Sequence, residues 1–401
     1  MDSLTQVVLG ASMAEVALGK KLGNKAMIWG GIAGTIPDLD VASEFVLSEI
    51  QSLAFHRGIS HSIIFSVLAA LFFGLVVHRM YQSKYYKWFG FIGKSFAFAI
   101  VAYTLNIFFV SRLSVAQLPL IIATVLISFL LLYYWFKKYF RNKLEIPNAS
   151  LREWQCLFFL ALFTHPLLDC FTTYGTQLFA PFSNFRVAFS TISVADPLYT
   201  VPFIICLLVA SLLQRDNPKR RFWNYLGIGL SSTYLIFTVF NKQFINHQFQ
   251  DALEQQEIEY SSFITNPTIL NNLLWSCTVK GPNDYYLGYY SLFNKKEVDF
   301  IKVPANHDLL DIKDYDPTIE TLDWFSDGYW NVLDLGNKAF QISDLRFGTF
   351  NGNASNPNAY IFRFKVTQDQ NGMYQLQEVE GGPPKGEESR VFATLVDRIF
   401  G

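Results

Sequence analysis

Three histidines and a set of aspartates flank apolar stretches of this sequence in patterns that suit metal coordination. In THPLLD, His165 and Asp169 are four residues apart, so both side chains share one face of a helix that continues through Pro166. In HRGISH, His56 and His61 are five apart and would diverge by about 140° on an unbroken helix. A turn at Gly58 and an N-cap at Ser60 would instead leave His56 in a loop and let His61 open the next helix. PDLD adds Asp38 and Asp40 just after a helical stretch. Taken singly, each motif is also compatible with a capped helix end or a solvated turn. Taken together, imidazoles with carboxylates suit one or two divalent ions, zinc first and manganese or iron next. The candidate ligands are Asp38, His56, His61, His165 and Asp169. Asp40 or Asp196, if uncoordinated, is a candidate general base, and Asp2, Asp40 and Asp196 are equally candidates for orienting a histidine. Arg57 and Arg186 suit bidentate contact with a phosphate, or pairing with Glu44, Glu49 or Asp196.

The elements that must gather these residues are read from the distribution of apolar sequence. The chain is 51% hydrophobic and only 16% charged, more apolar than most soluble domains. Runs near Ile63 to Val77, Ser95 to Val110, Leu118 to Phe136, Glu153 to Cys170, Leu198 to Leu213 and Phe222 to Phe240 approach the ~20 residues that cross a bilayer. Thr5 to Gly19 and Ala26 to Ile36 are shorter and rich in small residues, with Gly30 and Gly34 at small-xxx-small spacing. They read as a packed pair of crossings or a re-entrant hairpin. Lysines and arginines collect in alternate loops, and only Arg57, Arg112 and Arg186 fall on the other side before the last run. The expected fold is therefore a polytopic α-helical membrane domain of about eight helices over 1–243, followed by a small soluble α+β domain over 244–401. The expected location is a bacterial inner membrane, multi-pass, with the N-terminus and the C-terminal domain extracytoplasmic. In that domain LLWSCTVK and YYLGYYSLF read as a hairpin about GPND, VDFIKV, AFQISDLRF, AYIFRFKV and MYQLQEV as further strands, and Ile319 to Phe325 as a helix.

A formal net charge of -1, with no basic tail and no glycine-rich phosphate loop, argues against nucleic acid as a partner. Cys156, Cys170, Cys206 and Cys277 show no paired spacing and read as small buried hydrophobes rather than thiolate ligands.

MDSLTQVVLG, GIAGTIPDLD, HRGISHS, HPLLDCFTTYGTQLFAPFS and ADPLY, in this order and spacing, resemble the membrane-bound metal-dependent hydrolases of the LexA-regulated inner-membrane family. The resemblance covers roughly the first half of the chain. It implies metal-dependent hydrolysis at Asp38, His56, His61, His165 and Asp169; the outer arginines and a site at the membrane boundary point to a membrane lipid or another phosphoester as substrate. Two other readings stay open: a transporter for an ion or small solute, and a non-catalytic scaffold stabilised by a metal.

Overall fold

The computed structural model describes all residues except 111–116, 142–145, 295–296, 313–314, 382–385 and 387. It divides into two compact units, one made of Met1–Ala69 with Phe158–Gly401 and the other of Ala70–Leu157. The helices in the first part are α1 (Ser3–Leu22), α2 (Asn24–Thr35), α3 (Glu49–Phe55), α4 (Ile63–Gln82), α5 (Tyr86–Val110), α6 (Gln117–Phe136), α7 (Leu151–Asp169), α8 (Pro197–Leu212) and α9 (Pro218–Gln255). Within the smaller unit, Gly74 lets α4 lie against α7, since a Cβ there would stand 2.8 Å from the Gln155 backbone. Tyr81 stacks on Trp154 beside this crossing, with centroids 5.5 Å apart.

In the larger unit the small residues read from the sequence let α1 and α2 pack closely. A Cβ on Gly10 would lie 2.3 Å from the Gly30 carbonyl, and one on Gly34 would lie 2.5 Å from the Gln6 carbonyl. Val8, Leu168, Ile192, Tyr199 and Phe203 fill the space between α1, α7, α8 and the loop before α8. At one end of this bundle Arg220 and Glu15 form a buried pair.

After α9 come two antiparallel four-stranded sheets. The first has the order β1 (Ser262–Pro267), β2 (Leu274–Lys280), β3 (Asp284–Ser291), β4 (Ile301–Pro304), and the second β5 (Trp330–Gly336), β6 (Ala339–Thr349), β7 (Tyr360–Gln368), β8 (Tyr374–Gly381). Two more helices are α10 (Pro317–Ser326) and α11 (Glu388–Phe400). Ile245, Phe249 and Leu253, four apart on one face of α9, pack on Trp275, Cys277 and Val279 of β2. Ile319, Leu322 and Phe325 of α10 do the same for the second sheet, against Val332, Ile342 and Phe364.

This architecture corrects the expected fold. Among the described residues, α4 alone is long and apolar enough to cross a membrane. Four of the other runs fall short for identifiable reasons: α2 has 12 residues and α8 has 16, against the ~20 a crossing needs. The α1 helix carries Glu15, Lys20 and Lys21, and α7 carries Arg152, Glu153, His165 and Asp169. An eight-helix membrane bundle is thus replaced by a mixed helical region, and the small α+β domain by two open sheets. The multi-pass topology goes with it, and so does the placement of the N-terminus and C-terminal part outside, because that placement rested on eight alternating crossings. Residue 243, the expected boundary, lies within α9. Arg112 lies outside the described residues.

Candidate metal centre

The α2 helix stops at Thr35, and Pro37 opens a 3-10 turn over Pro37–Phe45 with Asp38 and Asp40 in its first turn. A 3-10 turn advances about 120° per residue, so the two carboxylates point to different sides. They close on His61 from opposite edges of its ring: Asp38 Oδ1 is 3.5 Å from Nε2 and Asp40 Oδ2 is 3.3 Å from Nδ1.

His61 reaches this position by a route that differs from the expected one. The left-handed residue is Arg57, at φ 55°, whereas Gly58 is required because a Cβ there would meet the Phe55 carbonyl at 2.7 Å. The cap of α4 is Ser62, whose Oγ accepts from the Phe65 N–H at 3.0 Å. Ser60 instead donates to Asp40 Oδ2 at 2.9 Å and sits 3.0 Å from His61 Nδ1.

The α7 helix does run through Pro166. Proline leaves the Leu162 carbonyl without its helical donor, and Ser66 Oγ approaches that oxygen at 3.5 Å. His165 and Asp169 accordingly share a face, with Nε2 and Oδ2 3.3 Å apart. His165 Nδ1 lies 2.7 Å from the Gly34 carbonyl, a contact only its protonated form can make. That commits the tautomer and turns the Nε2 lone pair inward. On His61, the Asp40 and Ser60 contacts at Nδ1 have the same effect.

Asp38, His61, His165 and Asp169 therefore offer four donor atoms that all lie within 4.8 Å of one another. The two imidazole Nε2 atoms are 3.1 Å apart. Asp38 Oδ1 is 3.5 and 3.3 Å from them, and Asp169 Oδ2 is 3.4 and 3.3 Å. Ligands held about 2.0–2.1 Å from a tetrahedral ion stand about 3.3 Å from each other, so the set fits a divalent cation. Asp169 Oδ2 fits the same conclusion: it is buried and, despite these approaches, makes no hydrogen bond.

The electrostatics of the group suit a cation. Burial opposes ionisation of Asp38, but the contacts with His165 and His61 outweigh it and hold the carboxyl below the ordinary range. Asp40 is likewise lowered against its burial by His56 and His61. Asp169 is lowered against its burial by the charges of Arg57, the Met1 ammonium and His165. Burial alone would lower His61, yet the close approach of the Asp169, Asp38 and Asp40 carboxylates raises it to about 10. A proton on His61 thus occupies the electrostatic role that a metal ion would take.

The remaining expected residues lie around this group. His56 is outside the four-donor set; its Nδ1 is 2.9 Å from Asp40 Oδ1 and its side chain is 30% exposed. Asp40 also accepts from the Arg57 N–H at 2.9 Å, so its oxygens hold the HRGISH loop in place. Arg57 is buried, donates to Thr172 Oγ1 at 2.8 Å, approaches Asp169 Oδ1 at 3.6 Å and leaves Nε unpartnered. Arg186 donates to the Phe325 carbonyl and packs over Tyr174, Trp324 and Phe325. Burial lowers its pKa to about 10. Asp196 caps α8 through the Leu198 N–H and accepts from Tyr234 at 2.9 Å. Asp2 caps α1. Sequence reasoning passed over Gln6, which donates to Asp169 Oδ1 at 3.0 Å and to the His165 carbonyl at 3.2 Å. The glycines that bring α2 onto α1 were its only signal. The TTYG loop carries Thr172 and Tyr174 to Arg57, and its Gly175 needs a glycine at φ 79°.

A search of curated proteins and of solved structures finds no match. The model of one protein family, described as YdjM inner membrane protein, matches residues 1–108 and 118–245. The matched segments contain all four clustered donors and stop before the sheets. With well over half of the sequence inside that match, the chain belongs to the YdjM inner membrane protein family.

Proposed function

We propose that this chain is a membrane-associated, metal-dependent hydrolase that acts on a phosphoester. The observation that carries the reading is the four-donor group itself, with electrostatics that suit a cation and the unpartnered Asp169 Oδ2. Two imidazoles and two carboxylates suit zinc first, and manganese or iron next. A divalent ion held by Asp38, His61, His165 and Asp169 would supply Lewis acidity and lower the pKa of water there.

The chain's own groups complete the chemistry. Arg57, fixed by Thr172 and stacked 4.9 Å over Tyr174, offers its free Nε–H to a phosphoryl oxygen as negative charge builds there. Hydrolysis adds the water oxygen to phosphorus and breaks the bond to the leaving oxygen, which takes up a proton. His56 is the group placed to handle that proton, since Asp40 holds its Nδ1 and the ring is partly open to solvent. Asp40 serves both histidines as an orienting acceptor rather than as the base. Membership of an inner-membrane family supports a membrane lipid as the source of the phosphoester.

The completeness of the donor set favours a second reading. Four protein ligands satisfy a structural metal, whereas a catalytic one keeps or opens a further position. Asp38, the one ligand with a partly open side chain at 21% exposure, is where the set can open. Elemental analysis of detergent-purified protein, wild type beside a His61→Ala, His165→Ala double variant, is paired with phosphodiester hydrolysis. Stoichiometric metal and turnover, both lost in the variant, support the hydrolase; metal without turnover on any phosphoester supports the scaffold.

A further inference from the structure

Beside the metal centre lies a cleft of about 560 Å³ whose lining includes Glu44, Glu49, Ser52, His56, Tyr174 and Glu378. Its location is set by His56, which belongs to both regions: the ring lines the cleft and lies 6.3 Å, centroid to centroid, from the His61 ring. Three carboxylates reach the cleft from separate elements: Glu44 from the 3-10 turn, Glu49 from the start of α3 and Glu378 from β8. Among the described lining residues there is no lysine or arginine. Arg57 and Arg186 stack on Tyr174 of the lining at 4.9 and 5.2 Å, and Lys365 is the cross-strand partner of Glu378. A second feature points to a ligand: Ser52 is 7% exposed, lines the cleft, and leaves Oγ buried without a hydrogen-bond partner.

We propose that this cleft is a cation subsite that takes the ammonium group of a phosphodiester whose phosphate sits at the metal centre. The proposal rests on the hydrolase reading for the identity of the phosphate site, but not for the charge preference of the cleft. Three carboxylates attract one ammonium by charge-assisted contacts, and Ser52 Oγ offers it a further acceptor. The His56 ring, which lines the cleft, lies 6.3 Å from the His61 ring, so the cleft adjoins the centre that would hold the phosphate. In this arrangement the phosphate would be at the centre and the ammonium in the acidic cleft. The same acidic cleft disfavours an anionic substituent, so the subsite selects zwitterionic esters over anionic ones by attraction and repulsion together.

The test uses the full, metal-loaded chain in detergent at low temperature, so that binding is read ahead of turnover. Calorimetric titration compares glycerophosphoethanolamine with glycerophosphoglycerol, which lacks the ammonium. The ethanolamine ester is expected to bind roughly tenfold more tightly, and a Glu44→Gln, Glu49→Gln, Glu378→Gln variant is expected to lose that preference. Glu378→Lys alone, at an exposed strand position, gives a partial loss if the triple variant fails to fold. A parallel arm sets phosphatidylethanolamine against phosphatidylglycerol in mixed micelles; a preference there identifies a lipid source, and one confined to the soluble esters identifies a free source. Equal binding of both esters in both arms, or a preference unchanged in the variants, overturns the subsite. Charge preference without turnover on any ester would leave the subsite standing and defeat the hydrolase reading.

Discussion

Glu15 and Arg220 each have 2% side-chain exposure, and they satisfy one another fully. Arg220 Nε and NH2 meet the two Glu15 oxygens at 2.6 and 2.7 Å, while NH1 donates to Asn24 and to the Leu213 carbonyl. Asp169 is as deeply buried, yet one of its oxygens has no hydrogen bond, and two imidazole nitrogens face each other nearby at 3.1 Å. Both regions lie in the same helical part and both bury ions. The difference lies in satisfaction: the first set closes on itself, whereas the second leaves Asp169 Oδ2 without a hydrogen bond in a group able to hold a divalent cation. Burial of charge therefore accompanies a closed pair in one place and a group able to hold a cation in the other, and the unpaired oxygen distinguishes the two.

The largest effect that would sharpen this contrast is expected at the closed pair. Arg220→Met leaves Glu15 charged and alone, which costs about 3–5 kcal/mol of stability, while bound metal per chain stays at the wild-type level. Adding Glu15→Leu should recover most of that loss, because replacing a whole buried pair by apolar groups is often close to neutral. Denaturant unfolding with elemental analysis on the same samples checks both statements. Metal lost together with stability would mean the two regions are not independent.

Next in size is a pH effect confined to the open set. In metal-free protein His61 is raised from 6.5 to about 10. Its contribution to stability is fully present below pH 6.5 and is lost as pH rises through about 10. Asp38, Asp40 and Asp169 are lowered from 3.8, so their contribution is present above that value and fades as pH falls below it. Chelator-treated protein should accordingly lose stability, on the order of a few kcal/mol, between pH 6.5 and 10. Metal-loaded protein should not, because the ion takes the place of the His61 proton. Identical alkaline profiles with and without metal would remove the basis for calling this set open.

The two regions also differ in how well the sequence announces them. Asp38, His61, His165 and Asp169 could be singled out because their residue types suit few roles beside apolar helices, and they do lie together. The grouping of His56 with Asp40 rather than with the cluster was not legible, because it depends on a left-handed Arg57, a conformation no residue preference announces. Glu15 and Arg220 gave no signal, being 205 residues apart and lacking a motif. The fold was less legible still. Apolar runs suggested crossings wherever they occurred, but α9 carries its apolar stretch and its polar stretch through 38 continuous residues, so composition changes where the helix does not. In the sheets, the strongly β-branched and aromatic segments at β2, β3, β6 and β7 stood out. The β1 and β5 strands, SFITNP and WNVLDLG, alternate too weakly to do so.

The smallest expected effect is also the one that most directly separates an orienting carboxylate from a structural one. Asp40 touches no metal-facing nitrogen; it holds His56 Nδ1, the Arg57 N–H and Ser60 Oγ, and it lies beside His61 Nδ1. In Asp40→Asn the amide can accept on one side only and presents N–H on the other. One of those donors loses its partner, and His61 loses the group that keeps its proton on Nδ1. If that proton moves to Nε2, the ring no longer offers a lone pair to the cluster. Metal affinity should then fall about 10–100-fold, measured by competition with a chelating dye, while the unfolding midpoint of the metal-free protein shifts far less than in Arg220→Met. Should Asp40→Asn instead destabilise the metal-free fold as strongly as Arg220→Met and leave metal affinity unchanged, the carboxylate would be a structural clamp like Glu15. The orientation of His61 would then have to come from the loop alone.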